Sequence, residues 1–266
     1  MTYLNKNSVL KSGYNAYIDS DIDDMGTQMD VGLLLLEEGD SYVFDEAEKE
    51  IAILLFSGNV TYEWDGQKMD ADRPDCFHHE AYCLLAGKGT RITLTAHAHS
   101  ELYIPKTKNE QPFEAVMYTP DNIQIQHAGA NGELMGCMER EIKTFFDLDN
   151  APFSNMVLGE ILNLPGKWSS YPPHHHPQPE VYFYRFDYPD GFGAGFGNGE
   201  IYQTGHNGLA IINTEFHSQV AAPGYAMCYA WGIRHLDGDP WDKTRIDDPE
   251  HAWLWKADAN DHIYHS

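Results

Sequence analysis

Short apolar runs broken by turn residues recur along this chain, and no stretch sustains the period of an amphipathic helix. Residues 31–36 (VGLLLL) read as a buried strand closed by Glu-Glu-Gly-Asp, with 41–44 as a short return. Residues 51–56 (IAILLF) lead through Ser57 and Gly58 into Val60, Tyr62 and Trp64, which alternate with Thr61, Glu63 and Asp65. That pattern predicts a hairpin pair with one buried face. Residues 84–89 (LLAGKG) read as a turn, 91–104 alternate again, and 105–122, with Pro105, Pro112 and Pro120, read as a connecting segment. For 132–148 the pattern leaves a strand or a short helix open. Residues 150–155 (NAPFSN) have the composition of a boundary, 157–173 open a second series of strands with Pro165-Gly166 as a turn, and 200–205 with 208–213 predict a hairpin. Strands this short, with turns this frequent, predict an all-β fold of sandwich or barrel type. The expected division is into residues 1–150 and 151–266.

A chain of 266 residues suits two β-rich units, each large enough to bury a core. Against 41 acidic residues stand 17 basic ones, and the net charge of −24 excludes nucleic acid and anionic membrane surfaces as expected partners. A small-molecule partner remains, and self-association stays open. Four cysteines without a CxxC pair fit a reduced, cytoplasmic protein. No stretch approaches 18 consecutive apolar residues, and the first 15 residues contain no apolar signal core, so neither membrane insertion nor export is expected.

The densest chemistry lies in 172–193, PPHHHPQPEVYFYRFDYPDGFG. His174 and His176 are two apart, so an extended backbone sends both imidazoles to one face and His175 to the other. Glu180 follows four residues later and opens an aromatic strand that ends at the turn Pro189-Asp190-Gly191. Two imidazoles and a carboxylate form an N/O set suited to one divalent ion of Zn, Mn, Fe, Co or Ni rather than Ca or Mg. His217 is the expected fourth ligand, because an antiparallel barrel returns a later strand beside the first. Strand parity puts Tyr182 and Tyr184 on Glu180's face as candidate catalytic residues and turns Arg185 away. His97 and His99 share the HxH spacing but lack a Glu at a comparable offset. They, His127, and the adjacent His78 and His79 read as polar strand or loop histidines.

The HxH pair, the following Glu, a Gly and a distant His before Pro223-Gly224 resemble the cupin metal signature. More narrowly, SSYPPHHH (169–176), EVYFYRF (180–186), DGFG (190–193), FHSQVAAPGYAMCY (216–229) and DPEHAWLW (248–255) resemble the 5-deoxy-glucuronate isomerases of inositol catabolism and the related 5-keto-4-deoxyuronate isomerases. In the first half the likeness rests mainly on EIAILLFSGNVTYEWDGQ (50–67). The resemblance implies a bicupin of two jelly-roll-like barrels. In it the second barrel would bind metal through the positions of His174, His176, Glu180 and His217, and the first would lack a metal site. The implied substrate is an open-chain deoxy-uronate, a sugar acid. A divalent ion that polarises a C1 carbonyl and orients the C2 hydroxyl suits aldose–ketose isomerisation. The alternatives from other classes are a non-catalytic sugar-acid-binding bicupin and an Fe(II) dioxygenase. The Gly-rich run 193–199 is expected in the pocket wall.

Overall fold

The computed structural model of the chain describes residues 2–213 and 215–264. Among these, strands form three sheets, and every strand pair is antiparallel. Helix is confined to single turns, the one α-helical turn being Ala259–His262. No helix among the described residues is long and apolar enough to cross a membrane.

A nine-stranded sheet is built around Lys49–Trp64, flanked by Cys83–Ala86 and Ser100–Lys108, with Asp30–Leu36 and Gly13–Ile18 beyond. A seven-stranded sheet runs in the order Thr2–Asn5, Gly208–Ile212, Glu180–Phe186, Met227–Arg234, Met156–Asn163, Arg140–Phe146, Gln124–Ala128. A five-stranded sheet, Glu200–Gly205, Phe192–Gly197, His217–Ala221, Trp168–His175 and Ile246–Asp247, faces it. Strand pairing crosses residue 150. Thr2–Asn5 and the two strands at 124–146 belong to the sheet that carries Glu180.

Side-chain parity explains why the large sheets read as continuous apolar runs. In Lys49–Trp64, Ile51, Ile53 and Leu55 fill the interior of the first unit, whereas Ala52, Leu54 and Phe56 face the second. In Glu180–Phe186, Tyr182 and Tyr184 point into the second unit, whereas Val181 and Phe183 face the first. Both faces of each strand are therefore buried, which removes the alternation a one-sided sheet would show. The shared core stacks Phe56 on Phe183 at 5.8 Å, with Tyr103 5.2 Å and Tyr17 5.1 Å from the same ring. Such aromatic pairs contribute roughly 0.5–1.5 kcal/mol each beyond their buried area.

Several local expectations are corrected. Ser57-Gly58 is not a turn: Lys49–Trp64 is one strand of 16 residues that bends there. Gly58 has φ +116°, and a Cβ on it would meet Ser100 Cα at 2.6 Å, so only glycine lets the strand swing from one layer to another. The hairpin forms instead at Asp65-Gly66 against Gln67–Arg73. The run at 84–89 begins as strand Cys83–Ala86. Within the supposed connector, Ser100–Lys108 passes straight through Pro105, and Val116–Tyr118 is a further strand. Pairing with Lys49–Trp64 skips Pro105, holding at Ile51↔Lys106 and Leu54↔Tyr103 on either side, because proline has no N–H to give. Residues 132–148 hold a 3-10 turn, Glu133–Gly136, and the strand Arg140–Phe146. Glu200–Gly205 and Gly208–Ile212 do not pair with each other: Asn207, at φ +59°, hands the chain from one sheet to the next.

Candidate active site

The entrance to the second unit holds a cavity of about 320 Å³ whose lining includes His174, His176, Glu180 and Tyr182. His174 and His175 end the strand Trp168–His175, while His176 follows it and turns back beside the start of Glu180–Phe186. His174 pairs in register with His217, so the later strand does return beside the first. The three imidazoles sit with ring centroids 4.6 Å (His174 to His217), 6.1 Å (His176 to His217) and 6.4 Å (His174 to His176) apart. His175 leaves by the other face and meets the Phe216 ring at 4.6 Å.

Glu180 Oε2 lies 3.3 Å from both His176 Nε2 and His217 Nε2. Each imidazole gives its Nδ1–H to a backbone carbonyl, His176 to Gln178 at 2.8 Å and His217 to Glu215 at 3.0 Å. In the neutral rings Nε2 then carries the lone pair. Two lone pairs facing one carboxylate oxygen need a cation, proton or metal, between them. Burial alone would raise the Glu180 pKa, but the contacts from His176 and His217 overcome it and hold the carboxyl well below its usual range. Burial, reinforced by His217 and Arg245, pushes His174 well below the usual imidazole value, and its Nδ1 has no hydrogen-bond partner among the described residues.

As placed, these side chains do not present their donors on one common coordination sphere. Chemically the set fits a divalent ion. The buried, orphaned His174 Nδ1 and the unshielded Nε2 pair point the same way.

Tyr182 Oη lies 3.0 Å from His217 Nε2 and 3.1 Å from Ser170 Oγ. Burial, then the Glu180 charge, raises its pKa well above the ordinary phenol value. Ser170 reaches it from a left-handed backbone at φ +53°. Tyr184 shares the barrel-facing side but lies away from the cavity, its hydroxyl donating to Gln219 Oε1 at 2.6 Å. Arg185 faces the first unit, as parity requires, pairing with Glu101 and Asn207. The Gly-rich run does not line the cavity either. A Cβ on Gly195 would meet the Tyr202 ring at 2.1 Å and one on Gly193 would meet Val220 O at 2.4 Å, so these glycines admit neighbouring groups.

The other candidate histidines stay outside this cluster. His97 contacts Thr61, His99 contacts Glu37 and Glu101, His127 contacts Glu141, and His78 and His79 both contact Asp75.

Sequence reasoning missed the cationic wall. Arg140, Lys243 and Arg245 line the cavity, joined by Trp231 and Trp241. The alternation of Arg140, Ile142 and Thr144 was a usable parity signal, but only for a segment already known to be strand. Lys243 and Arg245 lie in an irregular stretch with no period to read.

A β-barrel fold with three histidines and a glutamate gathered at the entrance of one barrel defines a cupin. The chain belongs to the KduI/IolB family, whose model matches residues 3–254. Among its relatives are 5-deoxy-glucuronate isomerases of Bacillus subtilis, 22% identical over 86% of this chain and 88% of that protein, and of Geobacillus kaustophilus, 21% identical over 84% of each. Family membership places the chain among isomerases. In structure it is similar to an IolB-like protein from Salmonella typhimurium, with a TM-score of 0.83, 18% identity and coverage of 92% and 97%. An oxalate decarboxylase from Lactobacillus farciminis shares the fold at a TM-score of 0.66 and 10% identity, over 99% and 94% of the two chains.

Proposed function

We propose that this cavity interconverts an open-chain deoxy-uronate between aldose and ketose, with 5-deoxy-D-glucuronate to 2-deoxy-5-keto-D-gluconate, a step of myo-inositol catabolism, as the reaction. The observation that carries the reading is the meeting of three histidines and a glutamate with a cationic wall, in a chain whose net charge is −24. A sugar acid needs local positive potential at one end and an electrophilic centre at the other. The names of the relatives supply the substrate class.

His174, His176, Glu180 and His217 would hold one divalent ion, which supplies Lewis acidity toward the C1 carbonyl and C2 hydroxyl. The remaining work belongs to the chain. A proton must leave C2 and another arrive at C1, while the hydroxyl proton on O2 passes to O1, so nothing is oxidised or reduced overall. Tyr182 is the acid/base hydroxyl: burial keeps it protonated at rest, and its contact with Ser170 gives a proton a route in and out. Trp231 and Trp241 exclude water from the reacting end and cover the apolar C5 methylene.

The test is incubation of the metal-loaded protein with 5-deoxy-glucuronate in deuterated water, followed by NMR. The ketose should form with solvent deuterium at C1. If no ketose appears from this or related uronates while a sugar acid still binds, the protein is a binding bicupin instead.

A further inference from the structure

We propose that Arg140 is the residue that grips the substrate carboxylate, and so selects acids over neutral sugars; the assignment rests on the uronate reading above. Three cations line the cavity, and two are already neutralised. Lys243 Nζ pairs with Asp147 at 2.9 Å and Asp149 at 2.5 Å. Arg245 gives Nε and Nη2 to Asp247 Oδ1 at 2.9 Å and 2.7 Å. Arg140 forms no ion pair among the described residues: Nη1 donates to the Met138 carbonyl at 2.7 Å, and Nε is buried with no partner.

An unpaired, largely buried guanidinium is costly to maintain, and a carboxylate from outside would complete it. Its planar fork can give two parallel hydrogen bonds to one carboxylate, a geometry that a hydroxymethyl group cannot match. Position supports the same assignment. Arg140 opens the strand Arg140–Phe146 and interacts electrostatically with Tyr229 and with Tyr182, which lines the same cavity. It also stands where this cavity meets a second one of about 520 Å³, walled by Leu254 and Trp255, so the charged end of an extended substrate would lie there. Burial draws the Arg140 pKa down, as expected of a cation lacking a counter-charge.

The experiment compares wild type with Arg140→Met, which removes charge and fork, and Arg140→Lys, which keeps the charge alone. Binding is measured by calorimetry with the C1-reduced alditol of 5-deoxy-glucuronate, which has no carbonyl to react and no hydroxyl beside its carboxylate, and with the polyol bearing hydroxymethyl in its place. Turnover is measured on 5-deoxy-glucuronate and on the neutral 5-deoxy aldose. Arg140→Met should bind the acid roughly 30–100-fold more weakly, and raise KM on the uronate, with neutral ligands and metal content unchanged. Arg140→Lys should fall between. If Arg140→Met fails to fold by circular dichroism, Arg140→Lys decides, with a loss of about tenfold confined to the acids. Equal losses for acid and neutral ligands, no loss for either, or a wild type that binds the acid no better than the polyol would overturn the assignment. Acid binding that depends on Arg140 without ketose formation rejects the isomerase reading and leaves Arg140 standing. Undiminished turnover of the uronate by Arg140→Met does the reverse.

Discussion

The Tyr182 hydroxyl lies 3.0 Å from His217 Nε2, the ring nitrogen that also faces Glu180. This puts one phenol, but not its neighbour two residues on, against the candidate centre. Tyr182→Phe should lower kcat by roughly 10²–10⁴-fold with KM little changed, the range for losing an acid/base group. Tyr184→Phe should leave kcat near wild type and cost about 1 kcal/mol of stability through the lost bond to Gln219. Steady-state kinetics on both variants checks the contrast; equal effects on kcat would remove Tyr182 from its role.

Metal content should follow the four candidate ligands. His176→Ala or His217→Ala should purify with little divalent ion by elemental analysis, whereas His97→Ala and His99→Ala should retain it. Stripping wild type with a chelator should lower its melting temperature, because an ion at a hundred times its Kd contributes about 2.7 kcal/mol. Undiminished metal in a His176→Ala, His217→Ala double variant would locate the ion elsewhere.

Arg73 and Glu160 form an ion pair across the two units, with side chains 0% and 1% exposed, and Lys143 lies 3.5 Å from the same carboxylate. Glu160→Gln strands the buried Arg73, while Lys143 keeps Glu80 and Glu141, and should destabilise by roughly 3–5 kcal/mol. Adding Arg73→Met to Glu160→Met should recover part of the loss, since the packed apolar pair no longer buries Arg73 unpaired. Urea unfolding of the single and double variants measures the difference. A single variant within 1 kcal/mol of wild type, on the scale of ordinary surface changes, would mean water reaches the pair.

Glu50 gives the fold a pH dependence of its own. Burial pushes its carboxyl up to about 7 from the ordinary 4.5, against the opposing pull of Asn109, Ser154 and the Asn155 N–H. The folded state therefore holds this proton more tightly than the unfolded chain. Its contribution is complete below pH 4.5 and is lost as pH rises through 7, a change on the order of 3 kcal/mol. Glu50→Gln cannot titrate, so the stability difference between wild type and variant should shift against wild type between pH 4.5 and 8. Parallel profiles by thermal unfolding would show that Glu50 stays charged.

Legibility in the sequence followed how local each feature is. The parity of His174, His175 and His176, and of Tyr182 against Arg185, is set by neighbouring peptide units, and the fold respects it. The pairing of His174 with His217 was within reach because hairpin return is a general rule of antiparallel sheets. What stayed hidden was decided by distant neighbours. Gly58 reads as a turn until Ser100 is seen lying against it, and Gly195 reads as pocket wall until the Tyr202 ring occupies the space. Arg140 lies in the segment 132–148 that the pattern left open between strand and helix, so nothing nearby in the chain marks it as a cavity residue.

The pairing of Thr2 with Ile211 and Asn5 with Gly208 has a consequence for assembly. Roughly two hundred residues separate these partners, so the edge of the glutamate-bearing sheet closes only after both units have collapsed around it, an entropic delay that slows folding. Until then Gly208–Ile212 presents an open row of backbone donors and acceptors, the kind of edge that recruits strands from other molecules. Expressed alone, residues 151–266 would carry that open edge permanently and would be expected to aggregate, while a synthetic peptide of residues 1–9 added in trans should compete for it.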